Sequence, residues 1–144
     1  MVLFSKDKIL VPTDFSEKSL QALEETVAFA DESSAVHVIH VLRPLEATEP
    51  GVIWESVNDE KRKANVEKPF AEKFGGSKYE GLNFAIEMGD PTSEIIDYAE
   101  KQQIDLIVMP SRGRTGISRF FMGSIAERVI RFAHCPVLVP AQFV

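Results

Sequence analysis

Five short apolar runs punctuate this chain: Lys8 to Pro12 (KILVP), Val36 to Leu42 (VHVIHVL), Leu82 to Met88 (LNFAIEM), Asp105 to Met109 (DLIVM) and Pro136 to Val139 (PVLV). Runs this short and this apolar have the character of strands buried on both faces. The segments between them carry apolar residues at helical spacing, as crossover connections between parallel neighbours must, and such crossovers are right-handed. The pattern predicts an α/β fold with a doubly wound, five-stranded parallel sheet and helices on both faces. At 144 residues, 44% hydrophobic and 26% charged, the chain reads as a single domain over residues 1–144, a size that buries roughly two-thirds of its unfolded surface.

Local signals mark the helices. Leu20, Leu23, Val27 and Ala30 form a stripe after Ser16, a suitable N-cap, and Ile95, Ile96 and Ala99 form another after Asp90-Pro91, a cap followed by proline at the first helical position. Ile125, Val129 and Ala133 make the last stripe, with Ser124 and Glu127 matching an S-x-x-E capping box in which Ser124 caps a helix over Ile125 to Ala133. Pro69 interrupts a helical stretch from Glu55 to Phe74 and predicts a kink or restart there, before Gly75-Gly76 ends it.

The segment from Leu106 to Ser124 (LIVMPSRGRTGISRFFMGS) joins a buried strand to a helix through a loop spaced by Gly113, Gly116 and Gly123. Glycines let backbone approach a ligand closely, and a helix N-terminus supplies unpaired N–H groups, so this layout suits phosphate. Arg112, Arg114 and Arg119 fall where neither Asp nor Glu occurs between Asp105 and Glu127. In an open parallel sheet, ligands bind beyond the carboxyl ends of the strands where strand order reverses. The first run exits there as Pro12-Thr13-Asp14, and a carboxylate facing a phosphate-binding loop suits a nucleotide, with Asp14 accepting from ribose hydroxyls. Asp14 has a second possible duty as an acidic residue at the start of a helix.

Other chemistry finds less support. A net charge of −6 argues against nucleic-acid binding, and no apolar run approaches the length of a membrane span. The N-terminus lacks a signal-peptide pattern, which predicts a cytoplasmic protein. Cys135 has no partner for an internal disulfide and reads as a small core residue. The chain carries neither a G-x4-G-K-[ST] loop nor a G-x-G-x-x-G turn. His37 and His40 sit three residues apart on one strand, hence on opposite faces, and read as core histidines unable to share a metal. His134 follows the last helix, where its charged form would complement the dipole. No nucleophile, base and acid assemble convincingly, so the sequence supports at most slow ATP hydrolysis.

The segments ILVPTDFSEKS, MGDPTSEI and SRGRTGISRFFMGSIAERVIRFAHCPVLV together resemble the universal stress protein family along the whole chain. The resemblance implies strand order 3-2-1-4-5 and a homodimer joined through the last strand, Pro136 to Val139, whose exposed apolar edge itself invites pairing. It also implies two branches, one binding ATP, with Mg2+ carried on the phosphates, and one not. The ATP-binding branch has the motif G-x2-G-x9-G-[ST]. Here Gly113 matches the second glycine and Gly123-Ser124 the end, while Pro110 occupies the first glycine position.

By the same resemblance, Asp14 meets the ribose with Pro12 and Thr13 nearby, Val41 meets adenine through its backbone, and Met88 lines the pocket. Ser111, Gly113, Arg114, Gly123, Ser124 and Ile125 surround the phosphates, with Arg112 in the same loop. Two readings follow: an adenine-nucleotide-binding regulator, or a dimeric interaction module without nucleotide. Pro110 divides them, since proline offers no N–H and places a ring where glycine leaves space.

Overall fold

The computed structural model describes residues 4–44, 59–76, 79–110 and 123–140. The strands are β1 (Ile9–Pro12), β2 (Val36–Leu42), β3 (Asn83–Met88), β4 (Leu106–Val108) and β5 (Val137–Leu138); the helices are α1 (Glu17–Phe29), α2 (Asp59–Phe74), α3 (Pro91–Lys101) and α4 (Ser124–Phe132). A short 3-10 turn, Ser33–Ala35, leads into β2. The strands form one parallel sheet in the order β3-β2-β1-β4-β5. The five strands fall within the expected runs, and that for β2 has the expected limits. At the β4–β5 edge the ladder is short, yet Ile107 N–H donates to Pro136 O (3.0 Å) and Met109 N–H to Leu138 O (2.9 Å).

Alternation along the strands divides the core in two. Ile9, Val11, Val36, Val38 and Val108 pack with Leu23 and Val27 of α1 and with Phe70 and Phe74 of α2. On the opposite face, Leu10, Ile39 and Ile107 pack with Ile95 and Ala99 of α3 and Ala126 and Val129 of α4. Because successive side chains point to opposite faces, β1 feeds both cores, and its burial on both sides accounts for its unbroken apolar sequence. The core residues Ile9, Leu10, Val11, Val36, Val38, Ile39 and Ile107 are fully inaccessible to solvent.

Helix starts follow the sequence at two positions and depart from it at a third. Ser16 accepts from Ser19 N–H, and Asp90 accepts from Ser93 N–H with Pro91 in the first turn. In α4, however, the cap is Gly123 and Ser124 is the first helical residue, because Glu127 N–H donates to Gly123 O at 3.0 Å. The capping box expected for Ser124 is thus displaced by one residue, a shift that glycine tolerates because it is nearly as good an N-cap as threonine. The helix ends at Phe132, with Ala133 as its C-cap.

Of the kink or restart expected at Pro69, the restart does not occur. Helix α2 runs through it without a restart, from Asp59 to Phe74. The proline withholds the N–H that would reach the Asn65 carbonyl, a local cost. Packing offsets it: Phe70 and Phe74 are buried, the Phe70 ring stacks on Phe84 with centroids 3.9 Å apart, and Phe74 lies 4.8 Å from Phe70. Removing either side of this balance has opposite results. Phe70→Ala should lower unfolding free energy by about 3 to 5 kcal/mol, whereas Pro69→Ala should raise it by about 1 to 3 kcal/mol, as measured by urea denaturation. Destabilisation by Pro69→Ala would show that the proline fits this helix without cost.

Candidate functional site

Strand order reverses at β1, which pairs with β2 on one side and β4 on the other. Beyond the carboxyl ends of these strands lies a cleft of about 460 Å³. Its wall includes eight of the expected residues: Pro12, Thr13 and Asp14 from the β1 exit, Val41 from β2, Pro110 from the β4 exit, and Gly123, Ser124 and Ile125 from the start of α4. Ser111, Arg112, Gly113 and Arg114 lie outside the described residues.

Met88 is not brought to this cleft. It shares its β3 face with Phe84, which packs into the core under α1 and α2, whereas α3 and α4 cover the other face. The methionine at the cleft wall is Met109, the last residue of the fourth apolar run, which packs with Ile107 and Ile39. Its place directly before Pro110 was the available signal. Sequence reasoning also passed over His40, Arg43, Pro91 and Ile95, all on the wall. Arg43 stands two residues beyond Val41 and is the one Lys or Arg on that wall among the described residues.

The turn carrying Asp14 is tightly held. Thr13 N–H extends the parallel ladder to Ile39 O at 2.8 Å, and the Thr13 hydroxyl accepts from Phe15 N–H at 3.0 Å and shares a hydrogen bond with the buried Ser19 hydroxyl, also at 3.0 Å. The Asp14 carboxylate accepts from Ser16 N–H at 2.9 Å. Burial opposes ionisation of Asp14, but hydrogen bonds from the Ser16 side chain and backbone, with Ser19 adding to them, outweigh it and hold the carboxyl below its ordinary value of 3.8. Asp14 therefore both braces the start of α1 and presents a carboxylate to the cleft.

Two helix N-termini open on the cleft, and they differ. At α3, the Asp90 carboxylate already accepts from Ser93 N–H at 3.0 Å and from the Ser93 hydroxyl at 3.1 Å, and Pro91 brings no N–H. At α4, the glycine cap supplies no side-chain acceptor. An incoming anion therefore meets the dipole and backbone donors of α4 rather than those of α3. Arg128 on α4 lies 3.7 Å from Asp90 and ties the two helix starts together at the rim.

The histidines of β2 face opposite ways, as their spacing requires. His37 Nδ1 lies 2.8 Å from the Tyr98 hydroxyl, and burial together with the Lys8 charge lowers its affinity for a proton. His40 instead lies against Phe15, its ring tilted 52° to the phenyl ring. Burial, with the Asp105 charge, pushes the half-buried Cys135 thiol up, which leaves it a poor nucleophile. Among the described residues, no three His, Cys, Asp or Glu side chains converge as a metal site requires.

The Universal stress protein family matches residues 6–140. The chain belongs to the universal stress protein family. Universal stress protein MJ0531 of Methanocaldococcus jannaschii is 39% identical over 142 residues, covering 92% of this chain and 80% of the relative. The solved structure of MJ0577 from the same organism superposes with a TM-score of 0.74 at 32% identity, covering 99% of each chain. A universal stress protein solved in complex with cAMP shares the fold, with a TM-score of 0.61 at 21% identity, over 96% of this chain and 100% of that one.

The lowered Asp14 value fixes the sign of a pH effect. A carboxyl whose folded value is depressed contributes stability above its unfolded value, and that contribution is lost as pH falls through the folded one. Urea midpoints of the wild type should therefore decline more steeply than those of Asp14→Asn from just above the ordinary value of 3.8 downward. Parallel declines for the two proteins would contradict the hydrogen-bonded carboxylate.

Proposed function

We propose that the cleft binds an adenine nucleotide of the ATP class and that the protein is a cytoplasmic, homodimeric regulator whose state depends on that ligand. One observation carries this reading: a single cleft joins the ionised Asp14 carboxylate to the glycine-capped N-terminus of α4. The carboxylate suits ribose hydroxyls, and the N–H groups and dipole of the helix suit phosphate. Val41 supplies strand backbone at the cleft wall for the base, and Met109 and Ile95 supply apolar surface. The fourth-strand loop, with Ser111, Arg112, Gly113 and Arg114, would complete the phosphate site, and Mg2+ would enter on the phosphates. Support at the level of fold comes from the cAMP complex of the neighbour described above. Any hydrolysis would be slow, well below the ~1 per second at the low end of common enzyme rates.

Pro110 favours the second reading, an interaction module without nucleotide. It lines the cleft where the family motif has its first glycine. Loss of one donor to a charged ligand weakens binding by roughly 1.5 to 3 kcal/mol, about ten- to a hundredfold, enough to lower affinity without erasing the site. Calorimetry with ATP should show saturable binding to the wild type and tighter binding to Pro110→Gly. If neither protein binds at millimolar ATP, the interaction-module reading replaces this one.

The proposed dimer would form along β5, as the expected Pro136 to Val139 pairing requires. Support lies in Leu138, an apolar side chain on this edge strand that is 50% exposed in the isolated chain, and in the exposed Phe132 (59%) and Ile130 (42%) of α4, the helix that precedes β5 in the chain. Covering such a patch favours association. Light scattering should give twice the chain mass for the wild type and the single-chain mass for Leu138→Glu; a wild-type monomer at micromolar concentration would contradict this interface.

A further inference from the structure

His40 stands at the join between the core and the cleft, and sequence analysis assigned it only to the core. Its Nδ1 lies 2.7 Å from the Thr13 carbonyl oxygen. A carbonyl can only accept, so Nδ1 carries the proton and His40 donates. The donation crosses from β2 to the first residue beyond β1, directly before Asp14. Thr13 N–H is already bonded to Ile39 O, so β2 grips this peptide from both sides, through the N–H at residue 13 and through its carbonyl.

The next residues make that grip consequential. Phe15 has φ +63°, a left-handed conformation that a bulky side chain adopts only where its surroundings enforce it. The enforcing contacts include His40 itself, whose ring lies 4.7 Å from the Phe15 ring, and Phe70, whose ring lies 6.4 Å from it. This reversal at Phe15 brings Ser16 N–H back to the Asp14 carboxylate. His40 thus acts on both flanks of Asp14, by hydrogen bond at Thr13 and by ring contact at Phe15.

We infer that His40 is the positioning residue of this site: its Nδ1–H and ring hold the Thr13–Ser16 turn so that the Asp14 carboxylate meets the ligand's ribose hydroxyls. The ribose part rests on the nucleotide reading above, whereas the hold on Asp14 is a property of the protein alone. His40 is on the cleft wall and Asp14 beside it, so no intermediary beyond the turn is required.

Two near-isosteric substitutions separate the hydrogen bond from the bulk of the ring. Asparagine at position 40 places an amide N–H close to where Nδ1 sits, while glutamine places it nearer the Nε2 position, beyond the Thr13 carbonyl. In calorimetry, His40→Gln should bind ATP about tenfold more weakly than wild type and His40→Asn within about threefold of it, the loss expected for a hydrogen bond to a charged partner no longer held in place. Neither should change affinity for 2′,3′-dideoxy-ATP, which lacks the hydroxyls Asp14 would accept from. Equal binding of ATP by all three proteins, or equal losses for ATP and its dideoxy analogue, would overturn the inference.

A second readout needs no nucleotide. In a carbon-13 NMR titration, His40→Gln should raise the Asp14 carboxyl value toward the ordinary 3.8, and further than His40→Asn, which keeps the hydrogen bond to Thr13 and loses only the ring contact. If ATP fails to bind the wild type, the nucleotide reading falls, and this titration alone decides whether His40 holds Asp14. An unchanged Asp14 value in His40→Gln would overturn the positioning role.

Discussion

The cleft depends on the double burial of β1. This four-residue strand is inaccessible on both faces and pairs in parallel with β2 and β4, so it lies at the point where the sheet changes direction. Pro12 closes the strand without a donor of its own, and the chain then leaves the sheet through Thr13 and Asp14. The chain leaves β1 for α1 on one face of the sheet and reaches α4 after β4 on the other, so space opens between the β1 turn and the start of α4. The hydrophobic burial that makes β1 central and the cleft at its end are consequences of the same topology.

The cleft combines a short supply of charge with a rigid frame. Asp14 provides a carboxylate kept ionised by hydrogen bonds, Arg43 provides a cation on the rim, and the glycine-capped end of α4 provides backbone donors. Ser19 and Thr13, both buried, share a hydrogen bond next to Asp14, so these two hydroxyls are paired rather than stranded. Helix α3, by contrast, begins with its donors already engaged by Asp90. The differing caps of two neighbouring helices thereby give the cleft one end suited to an anion.

Much of this architecture was legible in the amino-acid order. The run Val36 to Leu42 became a strand of identical limits because Val36, Val38 and Ile39 are buried on both faces and leave an apolar signature that surface strands lack. Ser16 and Asp90 were readable as caps because capping is local chemistry. Features set by distant partners were not. Pro69 remains inside a helix because Phe70 finds Phe84, a residue on another element. Met109 rather than Met88 reaches the cleft because α3 and α4 cover the face that Met109 shares, and strand parity alone does not say which helices cover which face. His40 bonds a carbonyl 27 residues earlier, a contact that exists only once β1 and β2 are in register. The Gly123 cap differs from expectation by one residue, since glycine and serine are both acceptable there and the serine was the more conspicuous.

An adenine nucleotide seated in this cleft would change the surroundings of the residues that line it. Titrating ATP into nitrogen-15-labelled protein and following backbone amide resonances tests this most directly. Binding in the cleft should give saturable shifts concentrated at Thr13, Asp14, Val41, Gly123 and Ser124, with little change at the far end of the sheet around Lys6 and Phe29. Shifts that fail to saturate at millimolar ATP, or that saturate at a different face of the molecule, would contradict it.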